Sequence, residues 1–194
     1  MIIGLTGQIG GGKSTAASIL KSCGAAIVDA DLIGRQVVNR SDVLRRKLAR
    51  RFGKDIIDSN GMLNRKKLAT RAFQTEQTKT ALNQLVHPYL LKELRLRVQS
   101  LQKTHNVVVI DAALLLNWDM DDEVDFVLVI HAALEDRLRR LVIRGMARTD
   151  AEARQHAQLS LREYKERSDR VILNNGSLAV LRKKMLRFWN QLDT

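Results

Sequence analysis

Residues 7–15 read Gly-Gln-Ile-Gly-Gly-Gly-Lys-Ser-Thr, which satisfies the spacing G-x-x-x-x-G-K-[ST]. Glycines at these positions let successive backbone N–H groups turn inward around phosphate oxygens with no Cβ in the way. A helix starting just beyond them adds the positive end of its dipole. Lys13 brings a point charge suited to β- and γ-phosphates, and the Ser14 hydroxyl is placed to ligate Mg2+. Gly10, Gly11, Gly12, Lys13, Ser14 and Thr15 are therefore expected to cradle a nucleoside triphosphate. The plain alternative is a glycine-rich turn that binds nothing, and the full pattern between a strand and a helix argues against it. What is done with the triphosphate is left open by this loop.

Val28-Asp29-Ala30-Asp31 puts two carboxylates at the carboxyl end of a short apolar run. If the extended conformation continues, both project to one side, and in open α/β sheets ligands gather outside the carboxyl ends of the strands. That places them beside the phosphate loop. Asp31 is expected to orient an acceptor hydroxyl or hold a water on the metal, with Asp29 in support; capping of the following helix is the structural alternative. Val107-Val108-Val109-Ile110-Asp111 is four apolar residues and an acid, the Walker B form, so Asp111 is expected at Mg2+ directly or through water.

Arg137, Arg139, Arg140, Arg144 and Arg148 crowd one helical stretch, and Arg137, Arg140 and Arg144 share a face at i, i+3 and i+7. Guanidinium forks suit phosphate oxygens. A mobile helical hairpin carrying them would act as a lid that excludes water, with Arg140 or Arg144 pointing inward. The alternative is a solvated face balanced by Glu135 and Asp136. The second basic cluster, Arg45-Arg46-Lys47 with Arg50-Arg51, reads as a solvated face.

The elements that must position these groups follow from the hydrophobic pattern. Short apolar runs at Ile2–Leu5, Ala25–Val28, Val107–Ile110, Phe126–Ile130 and Val171–Leu173 predict strands. Helices are predicted over Ser14–Ser22, Leu134–Gly145, from Asp150, and over Leu178–Leu192, with a long basic helical stretch at Ile33–Lys103. Thr149-Asp150-Ala151-Glu152 has capping-box spacing, Asn60-Gly61 is a turn signal, and Pro88 suits the first turn of a helix. Strands alternating with helices predict an α/β fold with a parallel sheet covered on both faces.

With 194 residues, 45% of them hydrophobic, one domain with insertions is expected. Lys and Arg outnumber Asp and Glu by 33 to 21, a formal charge of +12 that points to anionic partners. Cys23 is the single cysteine, which excludes an internal disulfide and fits a reducing compartment. The start of the chain lacks the pattern of a signal peptide and no apolar run is long enough to span a bilayer, so no membrane association and a cytoplasmic location are expected. His87, His105, His131 and His156 stand far apart, with no pair at zinc spacing. Few aromatics interleave with the basic residues, so no nucleic-acid partner is expected.

Taken together these residues resemble the dephospho-CoA kinase family of P-loop kinases over nearly the whole chain. The resemblance runs through Gly4–Thr15, Val28-Asp29-Ala30-Asp31 into Ile33-Gly34-Arg35, Gly61–Arg65 with Leu68, His87-Pro88, Arg154 with Gln158, Ser168-Asp169, and Val171-Ile172-Leu173-Asn174-Asn175-Gly176. It implies ATP-dependent phosphorylation, with Mg2+, of the ribose 3′-hydroxyl of dephospho-CoA. It also implies a P-loop NTPase-like core (about 1–32, 105–133 and 166–194), a helical CoA-binding region (about 33–104) and a lid (about 134–165). Asp31 resembles the hydroxyl-orienting base, Lys13 and Arg140 join it as expected catalytic residues, Arg140 and Arg144 resemble lid phosphate ligands, and Asn174 resembles an adenine-side residue. A kinase for another small metabolite, such as a nucleoside monophosphate, and a nucleic-acid-associated nucleotide-binding protein are the competing readings. One departure stands out: where the family has Pro-Leu-Leu-x-Glu, this chain has Ala113-Leu114-Leu115-Leu116-Asn117.

Overall fold

The computed structural model describes residues 1–192. The chain divides into two compact units, one formed by Met1–Asp29 with Val98–Thr194 and the other by Ala30–Arg97.

The first unit is built on strands β1 (Ile2–Thr6), β2 (Ala26–Asp29), β3 (Val108–Asp111), β4 (Phe126–His131) and β5 (Arg170–Leu173). All pair in parallel in the order β2-β3-β1-β4-β5. The strands are near-continuous apolar runs because a parallel sheet is covered on both faces. Helices α1 (Lys13–Ser22) and α9 (Leu178–Trp189) pack on one face, where Ile3, Leu5, Leu20, Leu181, Met185 and Phe188 share a core. Residues of β1 between these point to the opposite face. There Leu115 packs so closely over Gly4 that a Cβ would meet it at 2.9 Å, and the Tyr164 hydroxyl bonds Thr6.

On the same unit lie α6 (Leu134–Ile143), α7 (Arg148–His156) and the short α8 (Leu161–Glu166). Leu138 and Leu141 of α6 pack with Ala151 of α7 in a small apolar cluster of their own. The capping box predicted at Thr149 does not form: α7 starts two residues earlier than expected, at Arg148, with Ala147 at the N-cap and no side-chain cap. Glu152, its intended acid, is bound by Arg148 at 2.9 Å, an i,i+4 pair that outcompetes reaching back to the helix start. A full capping box forms instead at α8, between Ser160 and Glu163.

The second unit is helical, with α2 (Ala30–Arg40), α3 (Asp42–Phe52), α4 (Arg65–Ala72) and α5 (Glu76–Gln102), which carries the chain back into the first unit. Asn60-Gly61 is the turn expected: Gly61 has φ 74°, the Asp58 carboxylate accepts from the N–H groups of Asn60 and Met62, and Ile57 bridges Leu63. Pro88 does not begin a helix; it lies inside α5. Beyond it Leu90, Leu94 and Val98, all buried at i, i+4 and i+8, form one apolar stripe.

The caps give a direct stability test. Ser160→Ala removes a hydroxyl that accepts the Glu163 N–H and should lower unfolding free energy by about 1 kcal/mol. Thr149→Ala, which removes no cap, should be neutral within about 0.5 kcal/mol. Urea unfolding of both variants checks this; equal losses would contradict the capping assignment.

Candidate active site

The site is assembled where β1 ends. Gly7, Gly10 and Gly12 have φ of 143°, 78° and 105°, the region only glycine enters without strain. Space excludes side chains here as well: a Cβ on Gly7 would run into the Ile130 carbonyl, and one on Gly12 into the Asn174 amide. The loop closes with Gly11 N–H on the Gln8 carbonyl at 2.9 Å and turns into α1 with Ala16 N–H on the Gly12 carbonyl at 3.0 Å. Gly12 is the N-cap of α1, with no side-chain cap and no acid in the first turn. The unsatisfied N–H groups and positive dipole end of α1 therefore remain available to an anion.

Register brings the charged groups together. Leu5 pairs with Asp111 across β1 and β3, and Asp29 pairs with Asp111 across β2 and β3. Asp111 and Lys13 form an ion pair, with side chains 12% and 15% exposed. Ser14 is exposed one residue further on and Thr15 is partly buried. A lysine, a hydroxyl and a carboxylate so placed have the chemistry to hold phosphate oxygens and a hard cation.

The expected pairing of Asp29 with Asp31 by strand alternation does not occur, because β2 stops at Asp29 and α2 begins at Ala30. Asp31 falls instead in the first turn of α2, exposed, where a carboxylate is favoured by the helix dipole. Asp29 is exposed at the strand end.

The arginines predicted to share one face of α6 separate into three environments. Arg137 is buried; its Nε donates to the Ala132 carbonyl at 2.9 Å and its Nη1 to Gln155 Oε1. Burial pulls its guanidinium below the ordinary arginine value. Arg140 is half-buried and donates to the carbonyls of Gly10 at 3.2 Å and Asn174 at 2.7 Å. Arg144 is the C-cap residue of α6, exposed beyond the last helical turn. Arg139 pairs with Asp136, and Arg148 with Glu135 and Glu152.

Asn174, buried, is fixed on three sides. Its N–H donates to the His131 carbonyl at 2.7 Å, its Nδ2 to the Gly11 carbonyl at 2.8 Å, and its own carbonyl takes Arg140. Arg140 and Asn174 thus brace the carbonyl side of the loop, opposite in sense to the N–H groups that would meet phosphate.

Several residues here have no role assigned from the sequence. Gln8 donates from Nε2 to the Leu159 carbonyl at 3.0 Å, which turns its Oε1 toward His131 Nδ1 at 2.9 Å. Gln8 Oε1 can only accept, so His131 Nδ1 is the donor of that bond, and burial, with the charges of Arg137 and Lys165, holds the ring below its ordinary value. Ile9 is bonded by Gln158 at its N–H (2.8 Å) and by Gln155 at its carbonyl (3.0 Å). Glutamines read as generic polar residues, and only their burial and partners disclose them. In the segment that departs from the family pattern, Leu115 and Leu116 are buried and Asn117 is exposed. Among the described residues no cluster of three or more His, Cys, Asp or Glu side chains is placed to hold a metal on its own.

A family model for dephospho-CoA kinase matches residues 1–180. The dephospho-CoA kinase of Corynebacterium diphtheriae is 38% identical over 195 residues, covering 100% of this chain and 98% of that protein. The crystal structure of TT1252 from Thermus thermophilus superposes with a TM-score of 0.83 at 30% identity, covering 100% of this chain and 98% of that one. Dephospho-CoA kinase from Campylobacter jejuni, at 22% identity, shares the fold with a TM-score of 0.75, over 98% of this chain and 96% of its own. A glycine loop closed around an uncapped helix start, a lysine paired to the strand-end acid, and full-length similarity converge on one conclusion: the chain belongs to the dephospho-CoA kinase family and is a kinase of the P-loop fold.

Proposed function

We propose that the chain transfers the γ-phosphoryl group of ATP to the ribose 3′-hydroxyl of dephospho-CoA, giving coenzyme A and ADP. The observation that carries this reading is the contact of Lys13 with Asp111 at the start of α1, a helix end with no side-chain cap. The residues fit Mg-ATP by their chemistry. Ser14 and Asp111 would hold Mg2+, which supplies neutralisation of phosphate charge when bound.

This chain's own residues do the rest. Loop N–H groups and Lys13 bind the β- and γ-phosphates. The Asn174 segment borders the adenine side, held by Arg140 and Gly11. Arg140 serves transfer by fixing the loop carbonyls, and the exposed Arg144 is the lid arginine that meets phosphate. Asp31 orients the acceptor hydroxyl and takes its proton as the P–O bond forms. Because phosphoryl transfer runs through a loose transition state, orientation outweighs proton abstraction in that role.

The charge distribution supports a polyanionic acceptor held by the helical unit. Residues 30–97 carry 16 Lys and Arg against 6 Asp and Glu, while the remainder carries 17 against 15. Nearly all the excess positive charge therefore sits on the helical unit, which raises the local concentration of a pyrophosphate-bearing substrate. No helix among the described residues is long and apolar enough to cross a membrane, and a soluble anionic substrate suits action in the cytoplasm.

The test is ADP release from Mg-ATP with dephospho-CoA, run beside AMP, CMP, adenosine and no acceptor. Turnover confined to dephospho-CoA is expected; turnover with another acceptor would keep the kinase and move the substrate. Lys13→Ala should abolish transfer while far-ultraviolet circular dichroism stays native, and normal turnover in that variant would remove Lys13 from the site. Asp31→Asn should lower kcat by roughly 100-fold with KM for ATP little changed. The reverse pattern, intact kcat with a raised KM for ATP, would make Asp31 a helix-start or metal residue.

A further inference from the structure

The Ile9 peptide, at the tip of the phosphate loop, is gripped by α7 and the turn after it. Its N–H donates to Gln158 Oε1 at 2.8 Å and its carbonyl accepts from Gln155 Nε2 at 3.0 Å. Its side chain packs against the small cluster of Leu138, Leu141 and Ala151 that joins α6 to α7. The next residue, Gly10, adopts φ 78° and runs so close to α6 that a Cβ would meet the Arg137 carbonyl at 2.7 Å. The preceding residue, Gln8, is tied to the Leu159 carbonyl. Three consecutive loop residues therefore rest on α6, α7 and the turn after α7.

The two glutamines have defined orientations. The Arg137 guanidinium has only donors, so the oxygen of Gln155 must face it and the Gln155 amide nitrogen must face the Ile9 carbonyl. Gln158 can serve the Ile9 N–H only through its oxygen. Arg137 is thus the anchor of the grip: a buried cation that dictates which way Gln155 points.

We propose that Gln155 and Gln158 are positioning residues for the nucleotide: by holding the Ile9 peptide at both its N–H and its carbonyl they set the shape of the phosphate loop, and so couple ATP affinity to the seating of the α6–α7 hairpin. The inference rests on the nucleotide reading given above. Fixing the Ile9 peptide fixes the turn that the following glycines must complete, and so the aim of their N–H groups. By linkage, whatever free energy the seated hairpin adds to ATP binding, ATP returns to the hairpin.

The chemistry of each contact separates this role from general stabilisation. Gln158→Glu keeps an acceptor for the Ile9 N–H, so ATP affinity measured by calorimetry without acceptor should stay within about threefold of the parent protein. Gln158→Leu loses the acceptor and should weaken ATP by about tenfold, the scale of one hydrogen bond. Gln155→Glu turns a donor into a carboxylate facing the Ile9 carbonyl and should weaken ATP at least as much. KM for dephospho-CoA should not move in any of the three. Amide hydrogen exchange adds a second readout: ATP should protect α7 in the parent protein and less so in Gln158→Leu. Equal ATP affinity in all four proteins, or losses that follow thermal stability rather than the donor–acceptor pattern, would overturn the proposal. ATP binding in the predicted order without transfer to dephospho-CoA would instead contradict the acceptor assignment and leave the grip standing.

Discussion

The active site depends first on the register of three parallel strands. Leu5, Asp111 and Asp29 are level across β1, β3 and β2. Evenly slanted parallel hydrogen bonds leave each strand ending at the same edge, so the Walker acid, the root of the glycine loop and Asp29 all emerge together. A slip of one residue in β3 would turn the Asp111 side chain to the other face of the sheet and leave Lys13 without its ion-pair partner. Deep burial of Val108, Val109 and Ile110 on both faces makes such a slip costly.

The loop is supported from behind rather than from within. Arg140, Asn174, Gln155 and Gln158 all address backbone groups of residues 9–11, and the Gln8 side chain ties the loop to the Leu159 carbonyl. A run of glycines has high conformational freedom in isolation, and directed contacts to its carbonyls remove that freedom while leaving the N–H groups of α1 open. An arginine fork suits this task because it satisfies more than one acceptor in fixed geometry, and a carboxamide because it offers both a donor and an acceptor.

Much of this was legible in the sequence. The phosphate loop declared itself because glycine, lysine and hydroxyl at fixed spacing have one efficient use, and the five strands because buried parallel strands are short apolar runs bounded by polar residues. The fates of Arg137, Arg140 and Arg144 were not legible. Helical periodicity placed them on one side, but α6 ends at Ile143, so Arg144 no longer follows the rotation. Arg137 turns inward because a carbonyl and Gln155 replace the water it loses. Strand alternation would put Asp31 beside Asp29, but α2 already begins at Ala30. Thr149 had the right spacing for a cap, but Arg148 was a closer partner for Glu152. Gln158 stands in the family pattern beside Arg154 with no role attached, and Gln155 is not marked at all, since nothing in the type or spacing of a glutamine says which backbone group it will meet.

The most direct measurement is to identify the phosphorylated product. Incubation with Mg-ATP and dephospho-CoA, followed by 31P NMR and chromatography against coenzyme A, reports both the transfer and the oxygen that receives it. The expected result is one new phosphomonoester at the ribose 3′ position, appearing in step with ADP. Inorganic phosphate in place of that ester, or phosphate on another oxygen, would contradict the assignment of this site to dephospho-CoA.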